Sequence, residues 1–383
     1  MKFGGTSVKD EAAIGRVISI VRSRLRERPL VVVSALSKVT RMLCELAQEA
    51  EAQHDDNVKA LLSRLRERHF DLARKLLASR PELLEEAIGE VEEIIGKLET
   101  FVGGVCLIGE LSRRSEARII STGEVLSSTI ISYAFNAEGV SCRLIDARRM
   151  IITDDNYISA QPDMETTEAN VRRIVGQESK GVDIVLTQGF IASTGAGAPS
   201  VLGFEGSDYS AAIFGSALDA ERVEIWTDVD GIRTTDPRFI GGTRKIDVIS
   251  YEEAAEMAVM GARVLHPLTI EPARRRNIPI RVLNSTNPEC EGSSVVRSDE
   301  APGGPKSVAF RSEILFVRIR SSRLEGVTRM LGKVFAVLYP KRLSDTSLAK
   351  LDGDLIHLLF FCCLFHKTHF SFQKMTERLS SPP

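Results

Sequence analysis

Short apolar runs alternate with segments of helical periodicity along most of this chain, and this alternation limits the folds that it can adopt. Turn-forming residues bound each run, and the runs are PLVVVSA (29–35), SCRLID (141–146), DIVLTQGF (183–190), VEIWTD (223–228) and IPIRVLN (278–284). Continuous apolar runs of this length are typical of strands that are buried on both faces. The pattern therefore predicts an α/β domain with a mainly parallel sheet, whose ligands lie at the carboxyl ends of the strands.

Length and charge restrict the number of domains and the kinds of partner. With 383 residues the chain can bury more than one core, so we expect two domains. The 50 Lys and Arg residues balance 52 Asp and Glu residues, which leaves no global basic field for nucleic acid. No apolar run approaches the roughly 20 residues of a membrane span, and the cysteines show neither metal-ligand spacing nor the density of a disulfide framework. We therefore expect a cytoplasmic protein with reduced thiols and with small-molecule or protein partners, but no nucleic-acid or membrane partner.

The segment KFGGTSV (2–8) places a lysine beside two glycines, ahead of the first predicted helix. Glycines before a helix let backbone N–H groups approach a ligand, and the helix end adds partial positive charge, so the segment could hold phosphate. Alone the motif is weak, because a frayed terminus has the same composition. We expect Ser7 to cap the helix, with Asp10 three residues on as in a capping box.

Several segments interrupt the alternation or follow it. Residues 51–117 are rich in Leu, Glu and Arg at helical spacing, which predicts a pair of helices packed against the domain, and residues 189–206 carry the small residues of a hairpin or mobile loop. Glycine and proline at 301–305 indicate a linker, followed by a strand and an amphipathic helix. We therefore predict a catalytic domain at 1–300 with a helical insertion at 51–117, a linker at 301–306, a partial α+β unit at 307–340 and an atypical tail at 341–383.

Polar and charged residues concentrate where the predicted strands end. The GSDYSA segment places Ser207 and Asp208 at a helix start, where amides can face an anion and a carboxylate can orient a lysine or Mg²⁺. Glu124 lies in the first turn of another helix, where it either complements the helix dipole or binds an ammonium group. The loop at 228–238 is either a solvated turn or, together with Thr227, a contact for ribose and phosphates.

Eight segments resemble motifs of the aspartate kinases, in the amino acid kinase superfamily, in their order and approximate spacing. They are KFGGTSV, VVVSALSKVT, STGE, TQGFI, GSDYSAA, WTDVDGIRTTDPR, EEAAEMAVMGARVLHP and IPIRVLN, and together they extend the resemblance over residues 2–340. The resemblance implies a three-layer α/β/α sandwich around a mainly parallel sheet, the amino acid kinase fold, followed by a partial ACT-like unit. It also implies transfer of the γ-phosphoryl group of MgATP to the side-chain carboxylate of L-aspartate. The product would be 4-phospho-L-aspartate, for lysine, threonine and methionine synthesis.

The resemblance also implies roles for individual residues. Lys2 would contact the transferring phosphoryl group, and Asp208 would organise the lysine and the metal-nucleotide region. The positions that match substrate binding are Ser34, Thr40, Glu124, Phe190 and Ser207. The positions that match nucleotide binding are Lys2, Gly4, Gly5, Thr227, Asp228, Arg233, Arg238, Arg263 and Val264. By the same resemblance the cofactors are ATP and the Mg²⁺ that it carries, the protein itself supplies no separate metal site, and the chain forms a homo-oligomer.

This chain departs from the family pattern at four places. Many members have an arginine before GSDY that binds a substrate carboxylate, whereas Phe204 and Glu205 fill that stretch here. Arg233 stands where a tyrosine is usual and could stack on adenine or meet phosphate. Arg263 replaces the usual lysine and presents a planar fork instead of a compact ammonium. Members also have further residues of the first strand before the lysine, whereas here a single residue precedes it.

The carboxyl-terminal region and two other functions complete the expectations. Half of the histidines fall between 357 and 369, beside Cys362 and Cys363, in a stretch without ACT character. We expect a truncated or frame-shifted tail that does not fold as an ACT unit. A glutamate kinase would share the sheet and the nucleotide site. A non-catalytic amino-acid-binding protein would be consistent with the missing arginine and the tail, although pure binding does not need Lys2.

Overall fold

The computed structural model describes residues 1–203, 205–238, 240–259, 265 and 267–308, and strands at 314–320, 347–352 and 355–361. These residues form two compact units, one of Met1–Ala258 with Ala262–Val308 and one of Val259–Gly261 with Ala309–Pro383. The strands of the first unit are β1 (Lys2–Phe3), β2 (Leu30–Val33), β3 (Cys142–Ile145), β4 (Ile152–Thr153), β5 (Ile184–Gln188), β6 (Ile191–Thr194), β7 (Pro199–Val201), β8 (Val223–Thr227), β9 (Val248–Ser250), β10 (Ile280–Asn284) and β11 (Ser293–Val296).

Eight of these strands form one sheet in the order β3-β5-β2-β1-β8-β10-β11-β9. Six of its seven neighbouring pairs are parallel, and only β10 and β11 run antiparallel. Each of the five predicted strands is confirmed to within two residues at either end. The hairpin predicted in 189–206 is also confirmed, as the antiparallel pair β6–β7 in a second sheet with β4.

Helices cover both faces of the large sheet. They are α1 (Glu11–Arg22), α2 (Val39–Glu51), α3 (Asp55–Leu76), α4 (Pro81–Ile108), α5 (Arg113–Ile120), α6 (Thr122–Ala137), α7 (Met164–Glu178), α8 (Gly206–Ala217), α9 (Tyr251–Val259) and α10 (Pro267–Arg276). Helix α6 packs on β2, β3 and β5 and also contacts α2–α5. Helix α8 packs on β1, β2 and β8 and also contacts α7 and α10. The predicted three-layer α/β/α sandwich is therefore confirmed. No helix in the described part of the chain has both the length and the apolarity to cross a membrane.

The predicted helical insertion consists mainly of α3 and α4. Val91, Ile95 and Leu98 of α4 are buried, as their helical spacing predicted. The charged residues of both helices lie largely at the surface; Arg66, for example, bridges the exposed Glu92 and Glu99 across the pair. Burial of one apolar face holds the insertion against α2 and α6.

The cap of α1 differs from the prediction. Asp10, rather than Ser7, is the N-cap, because its carboxylate accepts a hydrogen bond of 2.9 Å from the backbone N–H of Ala13. Ser7 lies three residues further upstream, and its hydroxyl contacts Ser285 at 2.8 Å. The serine is therefore engaged by a tertiary contact, and the aspartate takes the local one.

The second unit contains a three-stranded antiparallel sheet. Its strands are β12 (Ile314–Arg320), β13 (Ser347–Asp352) and β14 (Leu355–Phe361), in the order β12-β14-β13. Two of them come from the segment 341–383, where the sequence predicted an atypical tail. The predicted ends of the linker and of the ACT-like unit remain predictions.

Candidate active site

The short strand β1 begins with a lysine and lies at the centre of the large sheet. Since β1 lies between β2 and β8, Lys2 is only 8% exposed, and so is Asp208 in the first turn of α8. Lys2 Nζ lies 2.5 Å from Asp208 Oδ1. A buried ion pair is stable only when both partners are present, so each side chain fixes the position of the other. Asp208 therefore contacts Lys2 directly, as a carboxylate that orients this lysine must do.

The glycine turn that follows β1 gives its two amides different surroundings. The Gly4 N–H donates to the Trp226 carbonyl at 3.3 Å, so it is already engaged with β8. A Cβ at Gly4 would lie 3.4 Å from Lys2 Nζ, and one at Gly5 would lie 3.0 Å from the Ala35 carbonyl oxygen. Both glycines thus allow close packing, and among the hydrogen bonds of the described residues the Gly5 N–H has no acceptor.

Two serines, one after a strand and one in the first turn of a helix, meet beside this turn. Ser34 follows β2, Ser207 is the second residue of α8, and the Ser34 hydroxyl donates to Ser207 Oγ at 2.9 Å. A Cβ at Gly189, just after β5, would lie 2.7 Å from Ser207 Cβ, so only glycine lets β5 approach α8 this closely. The hydrogen bond between Ser34 and Ser207 brings together two of the predicted substrate positions.

Glu124 is a buried carboxyl group with one oxygen left unpaired. It is 2% exposed, its Oε1 accepts from the Ala35 N–H at 3.3 Å, and its Oε2 has no hydrogen-bond partner among the described residues. Burial raises the pKa of Glu124 from 4.5 to about 8, and the Ala35 hydrogen bond only partly offsets this effect. A cation bound at Oε2 would supply the missing partner, and this favours an ammonium ligand over simple complementation of the helix dipole.

Phe190 and Thr40 complete the predicted substrate positions. Phe190 has a left-handed backbone (φ 68°), and the Ser210 hydroxyl accepts its N–H at 2.9 Å. Thr40 lies in the first turn of α2, which begins a few residues after β2 ends. Glu205, in the stretch where the family has its arginine, also has a left-handed backbone (φ 54°) directly before α8. Phe204 lies outside the described residues.

The loop after β8 carries the predicted nucleotide residues. The Thr227 hydroxyl donates to Asp228 at 3.2 Å at the end of the strand. Arg238 is exposed and forms hydrogen bonds with Asp236, and Arg233 donates to the Thr243 carbonyl at 3.0 Å. The remaining two predicted residues, Arg263 and Val264, lie outside the described part of the chain.

Sequence reasoning missed the side chains that hold the site together. The Ser127 hydroxyl donates to the Ser34 carbonyl at 2.8 Å and so ties α6 to the end of β2. Gln188, at the end of β5, donates to Ser128 at 2.8 Å and accepts from the Ala147 N–H at 2.8 Å. The rule that polar residues at strand ends mark a site could have selected Gln188, but it does not show which polar residue meets a ligand.

Comparisons with known proteins agree with this geometry. A model of the amino acid kinase family matches residues 1–284. The lysine-sensitive aspartokinase 3 of Escherichia coli is 34% identical over 88% of this chain and 72% of its own length. The crystal structure of Escherichia coli aspartokinase III in complex with aspartate and ADP superposes with a TM-score of 0.83 at 31% identity, over 98% of this chain and 82% of that one.

Other relatives are much longer than this chain. A bifunctional aspartokinase/homoserine dehydrogenase of Zea mays is 32% identical over 88% of the chain, which spans only 37% of that relative's length. The similarity to such relatives thus concerns a part of them.

Proposed function

Because this chain belongs to the aspartokinases of the amino acid kinase family, we propose that it transfers the γ-phosphoryl group of ATP to the side-chain carboxylate of L-aspartate. The observation that carries the proposal is the buried ion pair between Lys2 of the central strand β1 and Asp208 of α8, together with the Ser34–Ser207 contact. A related crystal structure was solved with aspartate and ADP, which supports the same two ligands here.

The reaction requires little of the protein apart from placing charges. An aspartate carboxylate is already a nucleophile, so no general base is needed, but it must approach an anionic phosphate. Lys2 would offset that repulsion, with its ammonium held in place by Asp208. The free Gly5 N–H would add a neutral donor beside it.

Substrate recognition would depend on the side chains between β2, α6 and α8. Glu124, with its unpaired Oε2, would bind the substrate ammonium group, and the Ser34–Ser207 hydroxyl pair would bind carboxylate oxygens. Thr40 and Phe190 would line the same pocket, as the resemblance implies. The family's carboxylate-binding arginine has no counterpart at the same place in this sequence.

The nucleotide would lie at the end of β8, against Thr227 and Asp228, with Arg233 and Arg238 from the following loop. Arg263 and Val264 are assigned to the nucleotide by the resemblance alone. Mg²⁺ would arrive with the nucleotide and neutralise phosphate charge. The described residues contain no cluster of three or more His, Cys, Asp or Glu side chains that could hold a metal.

The same function would make the protein a cytoplasmic enzyme of lysine, threonine and methionine synthesis, with L-aspartate and ATP as its small-molecule substrates. Its relatives support this proposal, since they include an aspartokinase of Escherichia coli and one of Arabidopsis thaliana. A homo-oligomer is proposed from the resemblance.

A coupled assay of ADP formation tests the proposal. ADP should form with L-aspartate and not with L-glutamate or without an acceptor. Lys2→Ala should lower kcat by about 10³-fold, whereas Lys9→Ala, an exposed lysine seven residues on, should leave it unchanged. Turnover with glutamate alone would indicate a glutamate kinase. Aspartate binding without turnover would indicate a binding protein.

A further inference from the structure

Two buried serines that have no role in the proposed site contact each other between the turn after β1 and the end of β10. Ser7 is 2% exposed and Ser285 is 3% exposed, and their hydroxyl oxygens are 2.8 Å apart. Ser7 belongs to the turn after β1, and Ser285 is the first residue after β10. They are separated by 278 residues in the chain, so the contact exists only in the folded protein.

Both serine hydroxyls lie next to backbone carbonyl groups at the end of β8. The Ser285 hydroxyl lies 3.0 Å from the Thr227 carbonyl oxygen, and the Ser285 backbone N–H donates to the same oxygen at 2.8 Å. The Ser7 hydroxyl also lies 3.4 Å from the Trp226 carbonyl oxygen, so either serine can be the donor in the 2.8 Å contact between them. The two hydroxyls together form a relay from the turn after β1 to the backbone of Trp226 and Thr227 at the end of β8.

The residue before Ser285 supports the same loop. The Asn284 side-chain amide donates to Asp230 Oδ1 at 2.7 Å, and Asn284 Oδ1 accepts from the Thr286 N–H at 2.8 Å. The end of β10 contains none of the predicted site residues, yet it fixes both the end of β8 and the start of the nucleotide loop.

The other end of the relay is the glycine turn. The Ser7 N–H closes this turn by donating to the Gly4 carbonyl at 2.9 Å, and the Gly4 N–H reaches β8 through a longer bond of 3.3 Å to the Trp226 carbonyl. The β1–β8 ladder adds only two residue pairs. The serine relay is therefore a substantial part of what connects the turn to β8.

We propose that Ser7 and Ser285 are positioning residues for phosphoryl transfer. Their hydroxyl pair sets the spacing between the Lys2–Gly5 turn, which faces the phosphates, and the Thr227–Asp228 end of β8. This inference rests on the proposed function. Phosphoryl transfer depends on positioning, and a misplacement of about 1 Å can cost about 100-fold in rate.

Steady-state kinetics of four variants test the relay. Ser7→Ala and Ser285→Ala should each lower kcat/KM for MgATP about tenfold and leave KM for aspartate within about twofold. The double variant should be no worse than either single one, because each change breaks the same relay. Ser285→Thr keeps the hydroxyl and should retain wild-type kcat/KM. The matched control is Ser19→Ala, since the hydroxyl of this exposed serine donates to the Gly15 carbonyl within α1.

The tests separate failure of the relay from failure of the proposed function. If the wild-type protein shows no aspartate-dependent turnover, the proposed function fails, and ADP affinity then tests the relay through the fluorescence of Trp226, the single tryptophan. Both alanine variants should weaken ADP binding about tenfold. Ser7→Ala leaves the Ser285–Thr227 bond intact, so it carries the test if Ser285→Ala does not fold. Wild-type kcat/KM and ADP affinity in Ser7→Ala, additive losses in the double variant, or an equal loss for aspartate would each overturn the relay.

Discussion

The pH dependence of aspartate binding follows from the burial of Glu124. Its pKa of about 8 means that roughly one tenth of the ligand-free protein has this carboxyl ionised at pH 7, and about half at pH 8. A substrate ammonium group pairs with the ionised form only. Binding near neutral pH must therefore displace a proton from Glu124.

The size of the effect follows from the ionised fraction. An apparent dissociation constant equals the intrinsic one divided by the fraction of protein that is competent to bind. The apparent Kd for aspartate should therefore fall about ninefold from pH 6 to 7 and about fivefold from pH 7 to 8. At pH 7 each bound aspartate should release about 0.9 proton.

Calorimetric titration at pH 6, 7 and 8, in two buffers of different ionisation enthalpy, measures both quantities. Glu124→Gln should bind aspartate weakly at every pH and release almost no proton. Glu138→Gln, at an exposed position directly after the same helix, should behave as the wild-type protein. A wild-type Kd that is constant from pH 6 to 8, with no proton release, would refute the assignment of Glu124 to the ammonium group.

Three further predictions concern stability and packing. Between pH 4.5 and about 8 the folded protein keeps the proton of Glu124, whereas the unfolded chain has lost it. The free energy of unfolding of the ligand-free protein should therefore fall by about 2 kcal/mol from pH 6 to pH 8 because of this group. Urea unfolding of Glu124→Gln should not show this fall. Gly189→Ala should force Ser207 to move, lowering the free energy of unfolding by about 1–3 kcal/mol and also kcat/KM for aspartate; unchanged values would contradict the close approach. Asp208→Ala should destabilise the fold by about 3–5 kcal/mol in urea unfolding, since Lys2 stays buried without a partner, and a double variant with Lys2→Met should recover part of that loss.

The sheet could be predicted from sequence because its central strands are buried on both faces. Such strands are continuous apolar runs, and VEIWTD and IPIRVLN became the parallel neighbours β8 and β10. Strands β9 and β11 were not predicted, since three and four residues are too few for a periodic signal. Their formation depends on pairing, of β11 with β10 and of β9 with β11.

The site could be predicted less completely, because contacts between distant residues decide how each group is used. Ser7 and Asp10 are both good capping residues, and only the tertiary contact of Ser7 with Ser285 shows why Asp10 is the cap. The glycine pair predicted two amides for phosphate, but the pairing of Gly4 with β8 engages one of them. The STGE segment placed Glu124 correctly in a first helical turn, yet its burial and raised pKa depend on the packing of α6 against β2.

Trapping of the phosphorylated product tests the proposed reaction most directly. Hydroxylamine converts an acyl phosphate into a stable hydroxamate and releases phosphate, so the acceptor group can be identified by mass spectrometry. With L-aspartate and MgATP, the wild-type protein should yield the hydroxamate of the side-chain carboxyl group, in proportion to the ADP formed, and Lys2→Ala should yield almost none. ADP formation without any aspartyl hydroxamate, or an undiminished yield from a folded Lys2→Ala protein, would contradict phosphoryl transfer to aspartate at this site.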